Sequence, residues 1–212
     1  MSGSRSARYT WPVYNGQMPG PSDEQSARLL EAAAFLLEGA GGVLNTTPLI
    51  KALFYLDLVV MLDSGLPATR ATYLALGQGP VIAKYPTRLI GALAREELAI
   101  QSDQDDGTKP VSLLRAPDAP RFLSAEHCVL AKKIAQWAKT QGAVKLSSFS
   151  HQNVGWQIAW SNGLGGSGPA RSIDLRVAMQ QIGEDDPWLS EQPSAAERHA
   201  FEHSDTQPGA VW

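Results

Sequence analysis

TTPLIKALFYLDLVVMLDSG, residues 46–65, decides the fold class. Thr47 ahead of Pro48 reads as a helix start. A threonine oxygen can accept from an early N–H, and the fixed φ of proline suits the first helical position. Leu49, Leu53, Leu56, Val60 and their neighbours are apolar almost all the way round, the pattern of a central, buried helix. Asp57 interrupts that run, so it needs a hydrogen-bonding partner or a place at an edge. Asp63-Ser64-Gly65 ends the helix, with Pro67 just beyond. The apolar run from Leu53 to Leu62 is too short to span a bilayer.

Upstream, Leu29, Ala33, Leu36 and Leu37 share one face of a helix from about Gln25 to Gly39. Ser22 is placed to cap it, with Gln25 at the capping-box spacing, and the glycines after Glu38 end it. Residues 1–21 are rich in Ser, Gly and Pro, punctuated by Tyr9, Trp11 and Tyr14. They read as an irregular arm without the apolar core of a signal peptide. Downstream, Ala71 to Leu76 reads as a strand, Gly77-Gln78-Gly79-Pro80 as a turn, and Ile82 to Glu97 as a third helix. Leu98–Ser102 and Val111–Leu114 read as a β-hairpin that joins Ala71–Leu76 in a three-stranded sheet. A fourth helix runs from a Ser124 cap to Gln141 and ends at Gly142. Further helices are expected at about His151–Trp160 and Ile173–Ile182, with a glycine loop between them. The expected fold is mainly α with a small antiparallel sheet, an α+β domain over residues 22–183. A polar tail, 184–212, would carry a short helix at Ala195–Glu202.

The chain has 212 residues and a formal net charge of −3. That overall charge does not drive non-specific nucleic-acid binding, which needs a clustered basic surface to release counterions, so nucleic acid is not the expected partner, although a local basic patch stays open. The single cysteine, Cys128, excludes an intramolecular disulfide and sits in a helical pattern as a small buried apolar residue. A cytoplasmic protein follows as the expectation.

Four motifs invite chemistry. Gly163-Leu-Gly-Gly-Ser-Gly168 has the letters of a dinucleotide fingerprint, but a Trp-bearing helix precedes it where a strand is required. Glu184 lies at the right distance for the ribose acid, yet no strand carries it. Ser167 lacks the following glycine of a nucleophile elbow, because Pro169 stands there. His199-Ala-Phe-Glu-His203 has the letters of an inverted zinc-protease helix without a third ligand on a separate element. Glu96-Glu97 and Asp105-Asp106 are adjacent acids on solvated segments, and Lys132, Lys133, Lys139 and Lys145 form a basic strip. None completes a catalytic, metal or cofactor set. The expectation is a non-enzyme without cofactor or metal that works by binding another protein.

From about Thr46 to Trp160 the chain resembles the Panacea antitoxin domain, also called the SocA-like family. Four stretches carry the resemblance: Lys51-Ala-Leu-Phe-Tyr-Leu-Asp57, Asp63-Ser-Gly-Leu-Pro-Ala-Thr69, Tyr73-Leu-Ala-Leu-Gly-Gln-Gly-Pro-Val81, and Ser150-His151 followed by Trp156. Gly77 and Gln78 stand where the family usually has Pro and Tyr, Leu66 where Arg is common, and Gln152 and Asn153 where acids are common. The resemblance implies an antitoxin that neutralises a cognate protein toxin by direct binding, or in some relatives hands it to an ATP-dependent protease. It casts Lys51, Tyr55, Asp57, Gly65, Pro67 and Ser150 as structural motif residues. Tyr73, Gln78, Gly79, Pro80, Tyr85, His151 and Trp156 become the candidate partner-binding residues. Trp156 and Trp160, four apart on one helix, read either as core packing or as an aromatic anchor.

Two other functions stay open on the sequence. A regulator or adaptor that binds a client or DNA would use Lys84 and Arg88 on the third helix. An enzyme would pair His151 or His127 with a remote acid.

Overall fold

The helix of residues 46–65 organises everything else. The computed structural model describes residues 21–117, 119–183 and 186–188. The aromatic arm residues Tyr9, Trp11 and Tyr14, Glu184, the His199–His203 motif and the expected helix at 195–202 lie outside them. In chain order the elements begin with α1 (Pro21–Gly39), β1 (Val43–Asn45), α2 (Thr46–Ser64), β2 (Tyr73–Leu76) and β3 (Gly79–Ile82). A π-helical turn (Pro86–Ile90) then runs into α3 (Gly91–Arg95), followed by β4 (Ala99–Gln101) and β5 (Pro110–Leu113). α4 (Ala125–Ser150), α5 (Val154–Asn162) and α6 (Leu175–Ala178) complete a mainly helical α+β domain.

Of the 19 residues of α2, 14 are buried, as its all-round apolar sequence requires. It packs against α4 and α1. Gly65 ends it in the left-handed conformation (φ 77°) and donates its N–H to the Met61 carbonyl at 2.8 Å. α1 starts at Pro21, a turn earlier than the apolar pattern indicates, with proline on the first helical position. α4 is two helical segments joined at Gly142 (φ 70°, ψ 172°). The glycine stops the first segment where the sequence placed its end, and a second segment, unmarked by periodicity, carries on to Ser150.

Glu31, in the middle of α1, is fully buried. Its carboxylate accepts from the backbone N–H groups of Arg121 at 3.0 Å, Phe122 at 2.8 Å and Leu123 at 2.9 Å. Three charge-assisted bonds offset its desolvation and fix the segment leading into α4. There the Ser124 side chain accepts from the His127 N–H at 3.1 Å, as its capping role requires.

The sheet differs from the expected one. β4 and β5 do form an antiparallel hairpin, but the third strand is β1, giving the order β1-β5-β4. Leu44 faces Val111 on the buried side. Residues 73–76 pair instead with β3 in a separate hairpin, with Leu76 opposite Gly79 across the two-residue connection Gly77-Gln78. A single bridge from Leu74 to Ser172 extends it. The Gly79-Pro80 pair reads as turn chemistry, yet both residues are in a strand. Pro80 has no N–H to give, and its partner Ala75 sends its own N–H to Arg171 at 2.9 Å. The third helix is correspondingly shorter than Ile82–Glu97, and Lys84 (φ 58°) precedes it in a left-handed turn.

The core extends beyond residue 183. Trp188, assigned by composition to the polar tail, is 2% exposed. Its ring lies 4.9 Å from that of Tyr55 and 5.0 Å from that of Trp137. Cys128 is buried, as expected. Among the described residues no helix is long and apolar enough to cross a membrane.

Candidate partner-binding site: a hairpin clamped by buried lysine and tryptophan

Two charged side chains on α2, six residues apart, grip the 73–82 hairpin. Six residues advance a helix by about 9 Å and turn it by about 240°, so they meet different parts of it. Asp57, fully buried, holds the approach. Its carboxylate accepts from the Thr69 N–H at 2.7 Å, the Thr69 hydroxyl at 2.5 Å and the Tyr73 hydroxyl at 2.8 Å. Burial pushes this carboxyl up to about 6, and the Thr69 and Tyr73 bonds pull the other way. Pro67, half-buried, and Gly65 turn the chain into this corner.

Lys51 holds the tip. It is 1% exposed, and its Nζ donates to the Gln78 carbonyl at 2.5 Å and the Pro80 carbonyl at 2.8 Å. No carboxylate pairs with it among the described residues. Burial drives its ammonium down to about 7. A neutral amine keeps two N–H bonds, one for each carbonyl, so the clamp survives deprotonation. Between those carbonyls the chain passes so close that only glycine fits. A Cβ on Gly79 (φ 91°) would stand 2.3 Å from the Ser150 Oγ and 2.6 Å from the Lys51 Nζ. Ser150 is buried and donates to the Ser147 carbonyl at 2.9 Å, leaving a compact side chain against that glycine.

The third grip comes from α5. Asn153 caps it, accepting from the Trp156 N–H at 3.2 Å and donating to the Ala178 carbonyl at 3.0 Å. Trp156 is 7% exposed, and its Nε1 donates to the Leu76 carbonyl at 3.2 Å. Its ring is stacked between His151, 4.3 Å away, and Trp160, 5.3 Å away. The His151 ring also makes a hydrogen bond with the Gly77 backbone. Burial and the Lys51 charge lower its pKa, and the Gly77 bond opposes them in part. Its Nε2 is buried without a partner among the described residues. The His151–Trp156–Trp160 stack thus backs the hairpin on one side while Lys51 anchors it from below.

This geometry divides the partner-binding candidates. Tyr73, Gly79, Pro80 and Trp156 are buried and hold the hairpin; they are not available to a partner. Strand alternation explains Tyr73, since Tyr73 and Ala75 point inward while Leu74 and Leu76 point away. Gln78 is exposed, His151 and Tyr85 are half-buried, and Tyr85 also packs on the core. The sequence missed two exposed neighbours, Leu76 at 38% and Leu164 at 71%, which flank the half-buried Trp160. The glycine-rich loop belongs here. A Cβ on Gly166 would stand 2.5 Å from the Trp160 ring, so the loop wraps that tryptophan. Its run forms a 3-10 turn (Leu164–Gly166) at the end of α5, with no strand leading in.

Elsewhere the candidate chemistry stays apart. The Asp106 carboxylate accepts from Thr108 in its turn and is lowered by those bonds. His127 contacts Asp63 at 3.1 Å, but Asp63 is an exposed residue at the end of α2. Among the described residues no group of three or more His, Cys, Asp or Glu is gathered that could hold a metal ion. Comparison with protein-family models, curated proteins and solved structures finds no match to this chain.

Proposed function

We propose that this protein is an antitoxin that neutralises a cognate protein toxin by direct binding, in the cytoplasm and without catalysis or cofactor. The exposed hairpin tip Leu76–Gln78 would serve as the centre of its contact surface. One observation carries the proposal. Three of the stretches that resemble the Panacea domain lie within residues 51–81 and the fourth begins only at Ser150, yet Lys51, Asp57, Thr69, Gln78–Pro80, Ser150, His151 and Trp156 all serve one small hairpin. A two-residue tip held by a buried lysine, a buried aspartate and a tryptophan presents its side chains with little entropy left to lose on binding. Leu76, Gln78, Trp160 and Leu164 supply the mixed apolar and polar surface of a contact centre. A standard interface, roughly 800 Å² per partner, would extend from there over the surrounding loops.

The test is growth rescue. The gene adjacent to this one is expressed under tight control in a bacterial host, with and without this protein. Arrest by the neighbour alone and recovery on co-expression are expected. The Leu76→Asp/Gln78→Arg double variant, folded by circular dichroism, is expected to lose the recovery. A toxic neighbour whose effect is unchanged by this protein overturns the pairing. Recovery that needs a host ATP-dependent protease replaces blocking with delivery.

A further inference from the structure

The hairpin is flanked on its other side by an open edge. β2 pairs with β3 along one side and meets residues 171–173 along the other, through the Leu74–Ser172 bridge. The Ala75 N–H donates to the Arg171 carbonyl at 2.9 Å, and the Ile173 N–H donates to the Tyr73 carbonyl at 2.8 Å. Backbone groups alternate sides along an extended strand, so the N–H and C=O of Ser172, between those two residues, point away from β2. Neither makes a hydrogen bond among the described residues, and Ser172 is exposed. Such an edge is a template for a further strand.

The same stretch lines a cleft of about 530 Å³ whose other wall is α5. Ligand clefts run to roughly 300–1,000 Å³. Gly155, Ile158, Ala159 and Asn162 line it from α5, and steps of three and four put them on one helix face. That face is about 10 Å long, the reach of three extended residues. Gly155 and Ala159 are small and buried, while Ile158 is 48% exposed and Val177 adds a second apolar wall. Arg171, exposed in the lining, enters no ion pair among the described residues. The opposite charge in the lining, Asp174, is engaged in capping α6, where its carboxylate accepts from the Arg176 N–H at 2.9 Å. An open strand edge and a helix face on the two sides of one cleft suit recognition of a peptide by strand addition.

We propose that this cleft takes an extended segment of a partner protein, which adds as a strand to the 171–173 edge. One residue of that segment exchanges two backbone hydrogen bonds with Ser172. An apolar side chain about the size of valine settles over Ala159 against Ile158, and a neighbouring acidic side chain pairs with Arg171. The exposed side chains of the hairpin tip take no part, so the cleft works whether or not that tip contacts a toxin.

The experiment follows the Ser172 amide in ¹H–¹⁵N spectra of the full chain during titration with acetyl-Val-Glu-Val-Glu-Val-amide. Two further peptides are compared, one with lysine in place of glutamate and one N-methylated at every peptide bond. Expected are a saturable shift of the Ser172 amide with the first peptide and binding of the lysine form weaker by about threefold, the worth of an exposed ion pair. The N-methylated form is expected to be weaker by about fivefold or more, the worth of a lost hydrogen bond. Arg171→Glu is expected to reverse the order of the glutamate and lysine peptides. No saturable shift at Ser172 overturns the proposal, as does equal affinity for the N-methylated form, which would mean an apolar contact without strand pairing. The three peptides on the unaltered protein decide even if Arg171→Glu fails to fold. No toxin enters this assay, so its outcome is read apart from that of the growth rescue.

Discussion

Gly79 and Lys51 make the sharpest demands on single residues. Gly79→Ala places a methyl group inside the contact distances of Ser150 and Lys51 and forces φ 91° on a residue with a Cβ. A loss of about 2–3 kcal/mol in urea unfolding is expected, from strain and overpacking together. The two buried charges predict an unusual pH profile. Lys51 in the unfolded chain holds its proton to its ordinary value of 10.5, while the folded protein releases it at about 7. Between those values the unfolded state binds more protons, so stability rises with pH, by at most about 1.4 kcal/mol per unit. Asp57 has the opposite sign. Its pKa is raised from 3.8 to about 6, so between those values the folded state binds more protons and stability falls as pH rises. Together they place a minimum between pH 6 and 7. Thermal melts from pH 5 to 9 should show it, and Lys51→Met should flatten the alkaline arm alone. A melting temperature that falls steadily from pH 7 to 9 in the unaltered protein would contradict the assignment of Lys51.

At the scale of elements, α1 and α4 are tied by the Glu31 carboxylate as well as by apolar packing. Its three backbone donors precede Ser124, so Glu31 sets where α4 begins relative to α1. Glu31→Gln keeps the shape but replaces one oxygen with an NH₂ group facing N–H donors. The expected cost is about 2–3 kcal/mol, because buried donors lose their acceptor, read as a lower urea midpoint with unchanged slope. A cost below about 0.5 kcal/mol, the level of an ordinary surface change, would mean that these N–H groups find another acceptor. α1 offers no sequence sign of this role. Glu31 reads as one more polar residue in an amphipathic helix, because its partners lie 90 to 92 positions away. The same distance effect hid β1. Three residues cannot display a two-residue period, and only pairing with β5 makes them a strand.

At the scale of the molecule, the clamp separates what holds the hairpin from what it presents. The Leu76→Asp/Gln78→Arg variant should therefore keep its stability within about 0.5 kcal/mol, as surface substitutions do. It should also lose about tenfold or more in affinity for its partner in a titration calorimeter, as contact-centre residues do. Trp156→Phe should do the reverse in order of cause. It removes the bond to the Leu76 carbonyl, lowers stability by about 1 kcal/mol, and weakens the partner only through a looser tip. Equal affinity of the partner for the Leu76→Asp/Gln78→Arg variant and the unaltered protein would move the contact surface elsewhere.

The sequence by itself determined the elements whose signals are local. The all-round apolar run of α2, the cap at Ser124, the stops at Gly65 and Gly142, and the hairpin of β4 with β5 are written within a few residues of where they act. It also marked Asp57 as a group in need of partners, since a carboxylate in an apolar helix must be satisfied. The tertiary structure alone decided which strand joined the sheet, that Lys51 turns inward to two carbonyls, and that Tyr73 and Trp156 serve as fastenings and not as contact surface. Those outcomes depend on groups brought together from 16 to 80 positions away. Periodicity can say that a face is apolar, but not what covers it. The partners of a buried polar group are set by packing among distant elements, and no window along the chain contains them.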